Sequence, residues 1–325
     1  MDRKKELLRF VDKEALGVEI APYFNPLTPK AEGFNCRIVD VFGHDELRAK
    51  AKDDPFIPSE RVAEIEDVDF VGDGSHLNDL MRGSPEFGEC AYIVSSHNFE
   101  HLPNPIQFLQ GCEEVLRPGG VLSMAIPDYR ACFDHFRFPT RLADWLDAYH
   151  EDRSRPSPGS VLDFKLGTAH YLGRDGNEKP GFNIGTAKFE RFIFGQDLPG
   201  LYQDYLDKSE TYTDAHCSVT CPEILHLLIS DLIHLDLISF EIVSISRTRT
   251  FEYFVHLRKP EQPVAADKET YKSQRPILMN EARLAMGIGA DADALSSLLS
   301  VIHQKTGLKS IERHLQKQPY VVQNG

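Results

Sequence analysis

The sequence predicts an α/β protein organised around a mostly parallel sheet, with one large insertion and a helical tail. Three observations carry this. Five short apolar runs alternate with helical patterns through the first half of the 325-residue chain, as strands joined by crossover helices do. Each run is followed by a loop rich in Gly, Pro, Asp, Asn or Ser. Two later apolar runs are separated only by Arg247 to Thr250, too short a link for a parallel crossover, so the final strand is expected to run antiparallel.

The first five runs are Leu16 to Ile20, Cys36 to Val41, Val68 to Val71, Ala91 to Val94 and Val121 to Ile126. After the fourth, Asn104 can cap a helix, Pro105 suits its first turn and Gln107 completes a capping-box pattern. Phe108, Leu109, Cys112, Val115 and Leu116 then share one apolar face, and Pro118, Gly119 and Gly120 turn the chain into the fifth strand. From His150 to Ala215 the alternation fails in an aromatic-rich stretch containing Phe164, Tyr171, Phe182, Phe192 and Tyr202. It reads as an insertion, either a lid over an acceptor or a subdomain packed on itself. Thr220 and Glu223 predict a second capping box before the apolar positions Ile224, Leu225, Leu228, Ile229 and Leu232. Phe240 to Ser246 and Phe251 to Leu257 form the late strand pair. Beyond Lys259, a polar, proline-bearing segment leads to a helical pattern around Leu295, Leu298, Leu299 and Ile302, expected to pack on the domain or on a second subunit. The resulting organisation is 1–149 and 216–259 as two parts of one domain, 150–215 as the insertion and candidate acceptor lid, and 260–325 as linker and helical tail.

Bulk properties narrow the partners. A formal net charge of −14 repels nucleic acid and anionic membranes, so a small-molecule or neutral glycan partner is expected and nucleic acid is not. No apolar run approaches the roughly 20 residues of a membrane span, and the charged opening Met1 to Arg9 lacks an apolar signal core. A cytoplasmic chain without membrane insertion is therefore expected. The six cysteines are scattered, which argues for reduced thiols rather than a disulfide framework. His216, Cys217 and Cys221 have no second close Cys or His pair, so a zinc site is not expected; no dedicated metal motif is present, and a divalent-metal-dependent mechanism stays open only because acidic residues and histidines converge on the same edge.

Several segments, in order, carry a family resemblance: Val18 to Pro22, Val39-Asp40, Val68 to Phe70, Ser95 to His101, Leu116 to Gly120, and Pro127 to Arg130 followed by Phe133-Asp134. From about Leu16 to Arg258 the chain resembles class I S-adenosylmethionine-dependent methyltransferases. More narrowly, it resembles methyltransferase-domain proteins encoded beside glycosyltransferases in bacterial surface-polysaccharide clusters. The resemblance implies a Rossmann-like sheet, S-adenosyl-L-methionine as cofactor, and O-methylation of a glycan or sugar-type acceptor with general-base assistance. It also implies a cofactor edge made of Glu19, Ala21, Pro22, Asp40, Asp73, Gly74, Ser95 and Ser96. Ala21 stands where the family places glycine. Glu19 is expected near the cofactor's ammonium through water or an amide, or else merely ends its strand. Asp40, ending the second strand, can accept both ribose hydroxyls or serve as a turn cap. Asp73 with Gly74 meets the adenine amino group or forms a plain Asp-Gly turn.

Methyl transfer is an in-line displacement, so alignment is the protein's main task and acceptor deprotonation its second. His97, Asp134, His135 and His216 are the candidate catalytic residues. His97 and His216 match positions where the resembling family carries histidine. Arg130, Arg137 and Arg141 can hold an anionic acceptor group or sit in ordinary ion pairs. Two other readings stand beside the enzyme: a methyltransferase-like binding or scaffold protein without turnover, and a nicotinamide oxidoreductase. The missing G-x-G-x-x-G after the first strand argues against the latter.

Overall fold

The computed structural model describes residues 2–54, 57–207, 212–262 and 265–287. Chain contacts divide it into a unit of residues 1–266 and a second unit beginning at Asp267.

The first unit opens with α1 (Arg3–Leu7), β1 (Gly17–Ile20) and β2 (Cys36–Asp40), then α2 (His44–Asp53), β3 (Phe70–Val71) and α3 (Leu77–Met81). Next come β4 (Cys90–Ser96), α4 (Pro105–Val115), β5 (Leu116–Pro127) and α5 (Leu142–His150). The inserted stretch contributes α6 (Pro158–Gly167), β6 (His170–Leu172), β7 (Glu178–Lys179), β8 (Phe192–Ile193) and α7 (Leu198–Asp207). The unit ends with α8 (Pro222–His234), β9 (Glu241–Ile245) and β10 (Glu252–Arg258).

Seven strands form one sheet in the order β3-β2-β1-β4-β5-β10-β9. The first five are parallel and β10 is antiparallel to both β5 and β9. This is the mostly parallel, Rossmann-like sheet with an antiparallel late strand expected from the sequence. The order reverses between β1 and β4, and it is outside the carboxyl ends of such a reversal that ligands bind in open α/β sheets. Because β10 runs the other way, its first residue, Glu252, pairs with Pro127 and lies at the same edge as the ends of β4 and β5.

Local chemistry explains the elements flanking that edge. Asn104 Oδ1 accepts from Gln107 N at 3.2 Å and Asn104 Nδ2 donates to Gln107 Oε1 at 3.1 Å, so the capping pair before α4 forms. Its face of Phe108, Leu109, Cys112 and Val115 is fully buried, whereas Leu116, expected on that face, already begins β5. The second expected box does not form. Cys221 occupies the N-cap of α8 without a side-chain bond, because the Thr220 hydroxyl is taken by Tyr253 Oη at 2.7 Å. On one side of the sheet, Leu7 of α1 packs with Ile38, Tyr92, Val94 and Phe254, which brings the amino-terminal helix to the sheet.

Within the insertion, β7-β6-β8 make a small sheet, and Phe182 and Phe192 bury against Ala131 and Ala169. Part of its aromatic content is thus core, whereas Phe189 and Tyr202 are exposed.

In the second unit, α9 (Lys268–Ala285) is capped by Asp267, which accepts from Thr270 N at 3.0 Å. Part of the polar, proline-bearing segment read as a linker is thus helical, with Pro276 inside it. Its many Lys, Glu, Gln, Arg and Ala residues are good helix formers. The pattern around Leu295, and the subunit contact expected of that tail, lie outside the described residues. Among the described residues no helix is long and apolar enough to cross a membrane.

Candidate active site

The cofactor side of the edge begins where β1 ends. Ala21 has φ +50°, a left-handed conformation costing an L-residue about 1–2 kcal/mol, which is why a glycine suits this turn. Ala21 N nevertheless donates to Val39 O at 2.8 Å, continuing the pairing with β2, and Pro22 O accepts from Asn25 N at 3.0 Å in the turn that follows. Glu19 fastens the loop from beneath. It is 2% exposed; Oε1 accepts from Leu27 N at 2.7 Å, and Oε2 accepts from Thr28 N at 2.7 Å and Thr28 Oγ1 at 2.6 Å. Burial raises its pKa against the pull of these bonds. Both oxygens therefore hold the protein's own loop, and any influence on a ligand's ammonium passes through that loop.

Asp40 ends β2 almost buried. Its partners are the main-chain amides of Phe42, at 3.2 Å, and Val41. Burial raises its pKa while those amides lower it, and no cation neutralises it among the described residues. Asp73 caps the turn after β3, accepting from Ser75 N at 2.8 Å, so it fills the turn role open to it in the sequence. Gly74 packs so closely that a Cβ would stand 3.1 Å from Ile20 Cγ2. Ser75 Oγ is buried with no hydrogen-bond partner among the described residues. Ser95 Oγ accepts from Asn98 Nδ2 at 3.3 Å, and Ser96 Oγ accepts from Arg3 Nη2 at 2.7 Å. The left-handed turn, the unneutralised Asp40 carboxylate and the orphaned Ser75 hydroxyl fit an adenosyl group carrying hydroxyls and ring nitrogens.

The other half of the edge is a charged array. His97, also left-handed at φ +52°, places Nε2 2.9 Å from Glu252 Oε2 and Nδ1 3.6 Å from Glu100 Oε1. Glu252 Oε1 accepts from Arg3 Nε at 2.8 Å. Burial opposes a charge on His97, but the bonds and charges of Glu100 and Glu252 prevail and raise its pKa to about 9. His97 is thus an imidazolium at neutral pH, a donor rather than the ready proton acceptor expected of it.

Glu100 is 1% exposed, and its carbonyl accepts from Cys217 N at 2.7 Å and Ser218 N at 3.0 Å. Burial pushes its pKa up, yet the His97 bond and the charges of His97, His216 and His101 hold it below the usual carboxylate value. Its Oε2 has no hydrogen-bond partner among the described residues. His216, buried at 4% exposure, sets Nδ1 2.5 Å from Asp134 Oδ2. Asp134 Oδ1 accepts from Arg137 Nη1 at 2.9 Å, and Arg137 reaches on to Asp163. His101 places Nδ1 2.9 Å from Asp214 Oδ1, and the His101 and His216 rings meet edge to face at 4.6 Å.

Of the four candidate catalytic residues, His97, Asp134 and His216 come together through Glu100. Asp134 is clamped between Arg137 and His216, with its pKa lowered despite burial by the His216 bond and both neighbouring charges; it orients His216. His135 is turned elsewhere: Nδ1 meets Arg130 O at 2.8 Å, and its ring stacks on Phe192 at 5.0 Å in the insertion's aromatic cluster. The three arginines are committed to ion pairs, Arg130 with Asp128, Arg137 with Asp134 and Asp163, and Arg141 with Asp144. Sequence reasoning missed Arg3, Asp214 and Glu252 in this array. For Glu252 a signal existed, since the first residue of an antiparallel last strand lies at the carboxyl edge of its parallel neighbours.

No family model and no curated protein matches the sequence. Among solved structures, an S-adenosylmethionine-dependent methyltransferase from Mesorhizobium loti is 9% identical, covers 78% of this chain and 97% of its own, and superposes with a TM-score of 0.37. A SAM-dependent methyltransferase from Aquifex aeolicus is 9% identical over 79% of this chain and 89% of its own, at 0.36. One from Methanosarcina mazei is 13% identical over 81% of this chain and all of its own, also at 0.36. These are distant likenesses, and the fold is defined by the strand order and the antiparallel β10.

Proposed function

We propose that the protein is an S-adenosyl-L-methionine-dependent methyltransferase acting on a hydroxyl of a glycan or sugar-type small molecule. The observation that carries the reading is Asp40, a nearly buried carboxylate held among the described residues by main-chain amides alone, at the end of the strand next to β1, where the strand order reverses. A carboxylate so placed is suited to accept two ribose hydroxyls. When bound, the cofactor supplies an electrophilic methyl group.

The remaining work belongs to the chain. The loop strapped down by Glu19 offers main-chain amides to the amino-acid end of the cofactor, and Ser75 offers its unpaired hydroxyl. On the acceptor side, His97 donates as an imidazolium and orients an oxygen. Asp134 and Asp214 hold the Nδ1 atoms of His216 and His101, which orients both rings, and an Nε2 atom that carries no other ligand receives the hydroxyl proton. The 150–215 insertion, with exposed Phe189 and Tyr202, is the lid in this reading. The sugar-type acceptor rests on the family resemblance and on a net charge of −14 that disfavours polyanions.

Calorimetry with S-adenosylmethionine and S-adenosylhomocysteine, followed by methyl transfer from labelled cofactor to nucleotide sugars and oligosaccharides, tests the proposal. Binding with transfer supports it. Binding without transfer to any acceptor favours the scaffold reading, and failure of the folded protein to bind either compound ends the enzyme reading.

A further inference from the structure

We propose that Glu100, His101 and His216 form a binding site for a divalent transition-metal ion of the zinc class. One nitrogen of each ring and one oxygen of the carboxylate lie within 4.8 Å of one another. Tetrahedral ligands about 2.1 Å from such an ion stand about 3.4 Å apart, so the shell closes when the ligand atoms draw together by up to about 1.4 Å.

Two further observations point to a cation. Each imidazole is already gripped at Nδ1 by a carboxylate, His216 by Asp134 at 2.5 Å and His101 by Asp214 at 2.9 Å. This fixes the ring and leaves Nε2 as the lone-pair atom, as in the carboxylate–histidine–metal arrangements of known sites. Independently, Glu100 is 1% exposed with Oε2 unpaired among the described residues, while His97 serves Oε1 from 3.6 Å. A buried carboxylate oxygen without a partner is destabilising, and a bound cation removes that penalty. The donor set selects the ion, because imidazole suits zinc and its transition-metal neighbours whereas magnesium and calcium favour oxygen. Two imidazoles and one carboxylate also leave a coordination position open. The inference rests on these side chains and does not require the methyltransferase reading.

The ligands have no motif spacing, since two are adjacent in the chain and the third is supplied by the segment before α8, so the sequence offered only acidic residues and histidines converging on one edge.

The test is titration of Co²⁺ into tag-free, chelator-stripped full-length protein, followed by visible absorption, with Zn²⁺ competition by calorimetry. One Co²⁺ per chain, displaced by Zn²⁺, is the expected result. Asp134→Asn and Asp214→Asn are expected to weaken binding by about 10–100-fold, as outer-shell changes do. Glu100→Gln, His101→Ala and His216→Ala weaken it further, and His170→Ala, at a surface pair with Glu178, leaves it unchanged. Circular dichroism checks folding, and Glu100→Gln and the partly exposed His101 provide variants if His216→Ala does not fold. Absence of Co²⁺ and Zn²⁺ binding in the wild-type protein overturns the proposal. So does an affinity that folded Glu100→Gln and His101→Ala leave unchanged.

Discussion

Glu19→Gln separates two roles for the acidic residue at the end of β1. If it served only a bound ligand, the variant would lose affinity and keep its stability. The structure instead places three donors on its carboxylate, Leu27 N on Oε1 and Thr28 N and Oγ1 on Oε2, all at 2.6–2.7 Å. Glutamine has a single acceptor oxygen, so at least one amide faces an NH₂ group. A buried amide left unsatisfied costs about 1–3 kcal/mol, and the remaining bonds weaken by about 1 kcal/mol in losing the charge. Against this stands the relief of no longer burying a charge, the same burial that raises the pKa of Glu19. The balance is a destabilisation of about 2 kcal/mol, roughly a 30-fold change in the folding equilibrium. Urea unfolding followed by circular dichroism, with equal m-values in both proteins, measures it. A variant within about 0.5 kcal/mol of wild type, inside the range of ordinary surface substitutions, would refute the loop-strap account.

Three other outcomes are expected. Asp40→Ala weakens binding of S-adenosylhomocysteine by at least about 1 kcal/mol, the scale of a lost charged hydrogen bond, without lowering the melting temperature; unchanged affinity by calorimetry counts against the ribose placement. His256 is fully buried beside Ser123 Oγ at 2.9 Å, and burial lowers its pKa from 6.5 to about 4. Unfolded His256 takes up a proton first as pH falls, so its contribution is intact above 6.5 and is lost toward about 4, by about 3 kcal/mol in full. Urea midpoints across that window should fall less steeply in His256→Gln, and parallel curves would sink the assignment. Asn104→Ala removes the cap of α4 and should cost about 1 kcal/mol; an unchanged thermal midpoint would mean that packing alone holds this helix end.

The parallel strands and the late hairpin were legible because each depends on residues close in sequence. The apolar run Ala91 to Val94 reads as a strand by itself, and Asn104, Pro105 and Gln107 mark a helix start within four positions. The Thr220 box failed because a residue distant in sequence competed: Tyr253 took the hydroxyl that would have capped α8. Asp73 became a turn cap because Ser75 N was its nearest donor. His135 is adjacent to Asp134 in the chain, yet its ring joins Phe182 and Phe192 while Asp134 meets His216.

Periodicity, turn residues and the length of the Arg247 to Thr250 link were enough to determine an α/β sheet whose loops gather at one edge, with His97, Asp134 and His216 bound for that edge. Only the tertiary structure decided their chemistry. It set His97 between two carboxylates that hold it charged, clamped Asp134 with Arg137, and brought Glu100, His101 and His216 within reach of one another. The physical reason is range. Backbone preference is settled over a few neighbouring residues, whereas a side chain's charge state and partners depend on whatever the fold places a few ångströms away, here Arg3, Asp214 and Glu252 from distant parts of the chain.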